Sequence, residues 1–217
     1  MVYIIIGTIA ILISFIASIV QYKKAEPLWL RLFPWYLGLT MTIQLGGFLY
    51  SHFLHKSNYL IFNIQQIADF LFWVYLFLKV YKTRGIKVAL LALAAFAIIF
   101  AVYDITLGEG FYSFNSKTST IISIILLIFS LLYFAELFVN NNRINYFTIP
   151  TFWISTGLFF FNVGSIIYLG LFNYITSHKL DEDGKIYGVI MVTLNILMYA
   201  LFTIGFFCRT IWKKMSY

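Results

Sequence analysis

Residues 58–81 read NYLIFNIQQIADFLFWVYLFLKVY, and in this run only Asp69 and Lys79 carry a formal charge. About 20 predominantly apolar residues in a helix span the ~30 Å hydrocarbon core of a bilayer. The stretch therefore reads as a membrane crossing with one carboxylate near its centre and a basic anchor close to its end. A carboxylate at that depth is expensive unless it faces the interior of a bundle. The fold that this run demands is thus a set of further crossings around it.

The rest of the chain supplies them. Of the 217 residues, 62% are hydrophobic and 11% charged, with a mean hydropathy of +0.89. A soluble domain carries about 25% charged residues, so this composition has too few polar groups to cover a water-facing surface. Six more apolar runs lie at about 2–20, 32–53, 86–103, 119–139, 151–172 and 187–208. The expectation is an all-α, seven-transmembrane-helix bundle in which residues 1–217 form a single transmembrane domain. The fourth run is the shortest and the richest in alanine. Little length remains for a nucleotide-binding fold or any other separate soluble unit.

Basic residues set the expected orientation. With the N-terminus outside, Lys23, Lys24, Arg31, Lys79, Lys82, Arg84, Lys87, Arg143, Arg209, Lys213 and Lys214 fall on the cytoplasmic side. Only Lys56, Lys117, Lys179 and Lys185 fall outside. Cytoplasmic loops are enriched in Lys and Arg, so seven crossings with the N-terminus outside and the C-terminus cytoplasmic agree with the charges. The net charge of +7 then reflects topology and attraction to anionic lipid, not nucleic-acid binding. The first run has no basic segment before it, and Lys23 and Lys24 follow it, so it reads as a retained helix rather than a signal peptide. The single cysteine, Cys208, excludes an internal disulfide and multi-cysteine motifs. The acidic cluster Asp181-Glu182-Asp183-Gly184 is too short for a calcium loop and reads as a solvated turn.

Small residues recur along several runs: Gly7, Ser14 and Ser18 on the first, Gly46 and Gly47 on the second, Ala94, Ala97 and Ala101 on the fourth, Gly157 and Gly164 on the sixth. In lipid, such stripes let helices approach closely and mark interfaces. Against this background the polar residues near mid-span stand out. Gln44, Gln66, Asp69, Asn162 and Asn195 are expected to form a buried polar cluster that binds a ligand. Gln65 and Gln66 precede Asp69 by four and three residues, so both share its side of the helix. No Lys or Arg lies at that depth, so Asp69 is expected to be protonated or to bind a cation or donor-bearing ligand. Glu136, near the inner end of the fifth run, is expected to snorkel or to pair with a basic anchor such as Arg143.

His52 and His55, one turn apart, and His178, from the last outer loop, form a low-ranking candidate metal site, since zinc takes three or four ligands. No catalytic group, cofactor motif or phosphate loop can be assembled. The run 187–208 contains no lysine to hold retinal, and the three prolines lie at run ends or in loops, unlike those of small seven-helix sugar carriers.

Several motifs carry one resemblance. They are Phe62-Asn63-Ile64 with Asp69-Phe70-Leu71-Phe72, Phe114-Asn115-Ser116, Phe152-Trp153 followed by Gly157 and Gly164, and Asn195-Ile196-Leu197-Met198-Tyr199 with Gly205-Phe206. The chain resembles small, largely uncharacterised seven-helix integral membrane proteins of Bacteroidota-type bacteria, over most of its length. The resemblance implies a bacterial inner-membrane, multi-pass protein and no particular reaction. It also implies that a carboxylate belongs at position 69, where members often carry Glu.

Three functions remain. The leading one is a membrane sensor or subunit that binds a small ligand, lipid or partner and signals through a separate cytoplasmic or membrane partner docked on the basic inner face. The second is a small-solute or proton-linked transporter using Asp69. The weakest is an intramembrane lipid-modifying enzyme. Because the longer loops and most acidic residues fall outside, a ligand is expected to enter from the outer side through an acidic rim.

Overall fold

A computed structural model describes residues 2–24, 27–55, 57–140, 145–181 and 184–213. They form eight α-helices joined by short turns: α1 (Val2–Val20), α2 (Phe33–Leu54), α3 (Tyr59–Val80), α4 (Arg84–Leu107), α5 (Ser116–Asn140), α6 (Pro150–Gly170), α7 (Phe172–Ser177) and α8 (Lys185–Lys213). Seven are long, and α7 is a single short stretch between α6 and α8. No strand occurs among the described residues.

Among the described residues, five helical stretches are long and apolar enough to cross a membrane: Tyr59–Val80, Arg84–Leu107, Ser116–Val139, Pro150–Ser177 and Lys185–Ile211. The first helix offers a shorter apolar segment, Ile5–Val20. The second is long but carries Gly38, Gly46, Gly47, Gln44, Ser51 and His52, which lower its apolarity.

The helix ends show how local chemistry fixes these boundaries. Pro34 and Pro150 sit in the first turns of α2 and α6, where a missing N–H costs no intrahelical bond. His55 adopts a left-handed conformation (φ 51°) and stops α2, and Asn58 Nδ2 then donates to the Gly47 carbonyl at 3.2 Å. The fourth run corrects expectation most. It is a 24-residue helix rather than the shortest one. Its last turn includes Asp104, which sequence reading places in the loop. A carboxylate near a helix C-terminus meets the negative end of the dipole. Here Asp104 is buried, and the Thr118 hydroxyl donates to its Oδ2 at 2.7 Å. The N–H groups of Gly108 and Gly110 close the helix onto the Asp104 carbonyl at 3.0 and 3.2 Å, with Gly110 at φ 89° where a side chain would be strained.

Glu136 meets the chain at the basic anchor Lys82 and at Thr83. Its expected partner Arg143 lies outside the described residues, and its carboxylate caps the α3–α4 turn instead. Oε1 accepts the Thr83 N–H at 2.8 Å and the Thr83 hydroxyl at 2.6 Å, and the Lys82 N–H lies at 3.2 Å. An anion at a helix N-terminus satisfies orphan donors and the dipole together.

Packing follows the small residues. Helix α8 lies between α1 and α6, α6 continues to α5, α5 to α4, and α1 to α2. A Cβ on Gly157 would meet Phe202 Cε1 at 3.0 Å and the Met198 carbonyl at 3.1 Å. At Gly164 it would clash outright with Cδ1 and Cδ2 of Leu194. Both glycines lie in close approach between α6 and α8, and a larger residue at either would force Leu194 or Phe202 to move. Gly47 serves the same end against Phe62 of α3, whereas Gly46 meets nothing within 4 Å. Ser14 and Ser18 are buried on α1, and Ala94, Ala97 and Ala101 on α4. Helix α3 meets α2, α4 and α5, which places the carboxylate of residue 69 among other helices.

Candidate functional site

Asp69 occupies the middle of α3, half-buried. Its carboxyl faces the Tyr36 hydroxyl of α2 and the Gln65 amide of its own helix, and Tyr199 of α8 stands nearby. Three helices thus contribute to its surroundings. Among the described residues no lysine or arginine pairs with it. Gln65 is itself buried, and its Oε1 has no hydrogen-bond partner. With its amide nitrogen turned to a carboxylate, its oxygen is left over.

An aromatic shell supports the carboxylate from the side of the basic helix ends. Tyr36 stacks flat on Phe72, with ring centroids 4.0 Å apart and an interplanar angle of 0°. Trp73 meets Tyr36 edge-on at 5.4 Å and Phe202 of α8 at 5.7 Å. Phe33 lies beneath, against Phe72, Trp73, Phe202 and Phe206. Such offset and edge-to-face pairs hold ring orientations fixed. The Tyr36 hydroxyl is therefore aimed by packing.

No family model, no curated protein and no solved structure matches the chain.

The five residues expected around one site are divided by the structure. Gln66 projects about 100° around α3 from Gln65 and accepts a hydrogen bond from the Ser119 hydroxyl of α5 at 2.9 Å. Positions three and four residues before Asp69 flank it on either side, and the neighbouring helices decide which one turns toward it: α2 takes the Gln65 side and α5 the Gln66 side. Asn162 is fully buried but donates to the Leu158 carbonyl of its own helix at 2.7 Å. Asn195 likewise donates to Met191 at 2.8 Å. Both amides satisfy themselves on the preceding turn, so no hydrogen bond links them to Asp69. Gln44 is half-buried, two turns along α2 from Tyr36 on the same face, with Thr40 between them. Sequence reading missed Tyr36 and Tyr199. The signal available was that a tyrosine hydroxyl inside a span needs a partner.

Among the described residues, the acidic side chains expected to rim an outer mouth are engaged by neighbouring groups. Asp104 is consumed by Thr118, and Glu109 accepts from the Ser116 hydroxyl at 3.0 Å with Lys117 Nζ at 3.9 Å. Asn63 of α3 donates to the Ser113 carbonyl at 2.9 Å and pins this loop onto the bundle. Glu182 and Asp183 lie outside the described residues. Asp181 caps α8: its Oδ1 accepts the Ile186 N–H at 3.0 Å, and its Oδ2 accepts the Tyr187 N–H and the Tyr168 hydroxyl, each at 2.9 Å. Desolvation opposes ionisation of this carboxyl, but the N–H groups of Tyr187 and Ile186 and the Tyr168 hydroxyl outweigh it and hold it below the usual carboxylate range.

That direction gives a pH dependence. A depressed folded-state pKa stabilises above the unfolded value of about 3.9, and the contribution is lost as pH falls through the folded value. The amides of Ile186 and Tyr187 are expected to be protected at neutral pH and to lose protection only as pH falls below the unfolded carboxylate value of about 3.9. In Asp181→Ala they are expected to be unprotected throughout. Hydrogen exchange, corrected for intrinsic pH dependence, checks it, and unchanged protection in the variant counts against the cap.

The histidines do not converge. His52 stacks on Phe48, His55 ends α2 and His178 packs on Tyr174, all exposed. Among the described residues no three His, Cys, Asp or Glu side chains are grouped to hold a metal ion.

Proposed function

We propose that this chain is a seven-helix membrane sensor or membrane subunit that receives a small cationic or hydrogen-bond-donating ligand at Asp69 and acts through a separate protein partner. In this reading α1–α6 and α8 all cross the membrane. The N-terminus lies outside, the C-terminus is cytoplasmic, and the home is a bacterial inner membrane. The observation that carries the proposal is the Asp69 carboxyl facing groups from α2 and α3, with Tyr199 of α8 alongside and no lysine or arginine paired with it among the described residues. A ligand that engages it must move the Tyr36 hydroxyl or the Gln65 amide. Tyr36 stacks on Phe72, and Phe33 one turn before it meets Phe202 and Phe206, so such a shift changes how α2 seats against α3 and α8. The face on which a partner would dock lies past the basic end of α3, where Lys82, Arg84 and Lys87 stand.

A carrier built on Asp69 is the competing reading. Carrier sites are usually made from interrupted helices related by repeats, whereas α3 and α8 run unbroken past this level. The test uses purified protein. A panel of small amines and monovalent cations is expected to raise the melting temperature of the wild type and not that of Asp69→Asn. Liposomes loaded with a pH dye are expected to show no proton flux. Flux that Asp69→Asn abolishes establishes the carrier instead, and no ligand-dependent shift together with no flux removes both readings.

A further inference from the structure

At the basic end of the bundle, away from Asp69, lies a cavity of about 930 Å³ lined by Pro27, Leu28, Trp29, Arg31, Leu32, Tyr75, Lys79 and Arg209. Its walls come from three separate elements: the 3-10 turn Leu28–Leu32 that leads into α2, the last turns of α3, and the end of α8. Each element contributes one cation, and among the described residues no acidic side chain lines the space. The Nε of Arg31 is buried without a hydrogen-bond partner. A buried guanidinium N–H left unpaired is costly, and a planar fork of donors suits a phosphate. Lys79 lies with its Nζ 5.5 Å from the Tyr75 ring centre, which holds that charge at the cavity wall.

The edge of the cavity identifies the source of the phosphate. Leu28 is 68% exposed and Leu32 40% exposed, so the cationic recess opens beside bare apolar side chains. Trp29 adds an aromatic wall of the kind that lies at headgroup level. A free inorganic anion has no use for this apolar margin, whereas acyl chains do. Basic pockets between helices at a membrane surface recognise lipid headgroups in this way.

We propose that this cavity is a binding site for the phosphate headgroup of an anionic phospholipid, with Arg31, Lys79 and Arg209 around the phosphate and Leu28 and Leu32 against the acyl chains. It is distinct from the Asp69 site and does not depend on what that site binds.

The experiment offers the purified protein equal amounts of phosphatidylglycerol and phosphatidylcholine and reads retained lipid by native mass spectrometry. Each basic residue near an anionic headgroup contributes about 1 kcal/mol. The three around the phosphate convert to a preference of about a hundredfold at tenfold per 1.4 kcal/mol. The wild type is expected to show a phosphatidylglycerol preference of that order, and Arg31→Gln/Lys79→Gln, which leaves Arg209, to fall to about fivefold. Lys79 is exposed, so Lys79→Gln alone keeps the fold and is expected to lose about fivefold. Lys117→Gln, at the other end of the bundle, is expected to change nothing. Parity in the wild type, or Lys79→Gln matching the wild type, overturns the proposal. Millimolar inorganic phosphate is expected not to displace the lipid; displacement, or equal thermal stabilisation by phosphate alone, makes this a free-anion site and overturns the lipid assignment.

Discussion

Phe33→Ala is expected to destabilise the bundle by about 3–5 kcal/mol, one of the two largest effects of a single substitution anticipated here. The Phe33 side chain is fully buried and joins three helices. Its ring centroid lies 5.4 Å from Phe72, 5.9 Å from Trp73 and from Phe202, 5.5 Å from Phe206, 6.1 Å from Tyr36 and 6.4 Å from Trp29. Between membrane helices, packing rather than transfer from water drives association. Removing the ring therefore costs the dispersion contacts on every side of the void. It also frees Tyr36, whose hydroxyl faces Asp69. Phe33→Leu keeps most of the volume and is expected to cost less than about 1.5 kcal/mol. Unfolding in a detergent titration, followed by tryptophan fluorescence, separates the two because Trp29 and Trp73 report on this cluster. An alanine variant within ~1 kcal/mol of the wild type shows that α2, α3 and α8 are not held here.

What was legible in the sequence divides along physical lines. Helix positions follow from the length of apolar runs, and their ends drifted where a polar residue was taken for a loop. Asp104 is the clearest case, because the Thr118 hydroxyl that makes it tolerable comes from the next helix. For Glu136 only the basic neighbourhood was readable: its hydrogen-bond partners include backbone N–H groups, which no residue type announces. Close packing at Gly157 and Gly164 was readable, since small residues at helical spacing have few other uses in lipid. The surroundings of Asp69 were readable only in part. That the carboxylate should reach a neighbouring helix followed from its depth, and Tyr36 of α2 faces it. Which side chains surround it depended on the rotation of α3 between α2 and α5, and a turn of a few tens of degrees exchanges Gln65 for Gln66. Asn162 and Asn195 look available in the sequence, but an amide inside a helix can bond to the carbonyl four residues back, and both do so.

The second large effect separates Asp69→Leu from Asp69→Asn. In the wild type the carboxyl faces two donors, the Tyr36 hydroxyl and the Gln65 amide. Leucine offers them no acceptor, so two groups lose their partner at about 1–3 kcal/mol each. The Gln65 Oε1, already unpaired, remains so. Asparagine keeps one carbonyl oxygen for Tyr36 and adds an NH2 group. If Gln65 rotates its amide, that NH2 meets the oxygen that now has no partner, and the exchange is satisfied on both sides. Asp69→Asn is therefore expected to stay within about 1 kcal/mol of the wild type or to exceed it, and Asp69→Leu to fall by about 2–5 kcal/mol. A double-mutant cycle with Tyr36→Phe isolates the contact. Phenylalanine should cost about 1 kcal/mol in the wild type and nearly nothing in the Asp69→Leu background, because the acceptor has already gone. Equal stability of the leucine and asparagine variants, or additive costs in the cycle, would mean that the Asp69 carboxyl is not held by Tyr36 and Gln65, and the site would lose the geometry on which its ligand binding rests.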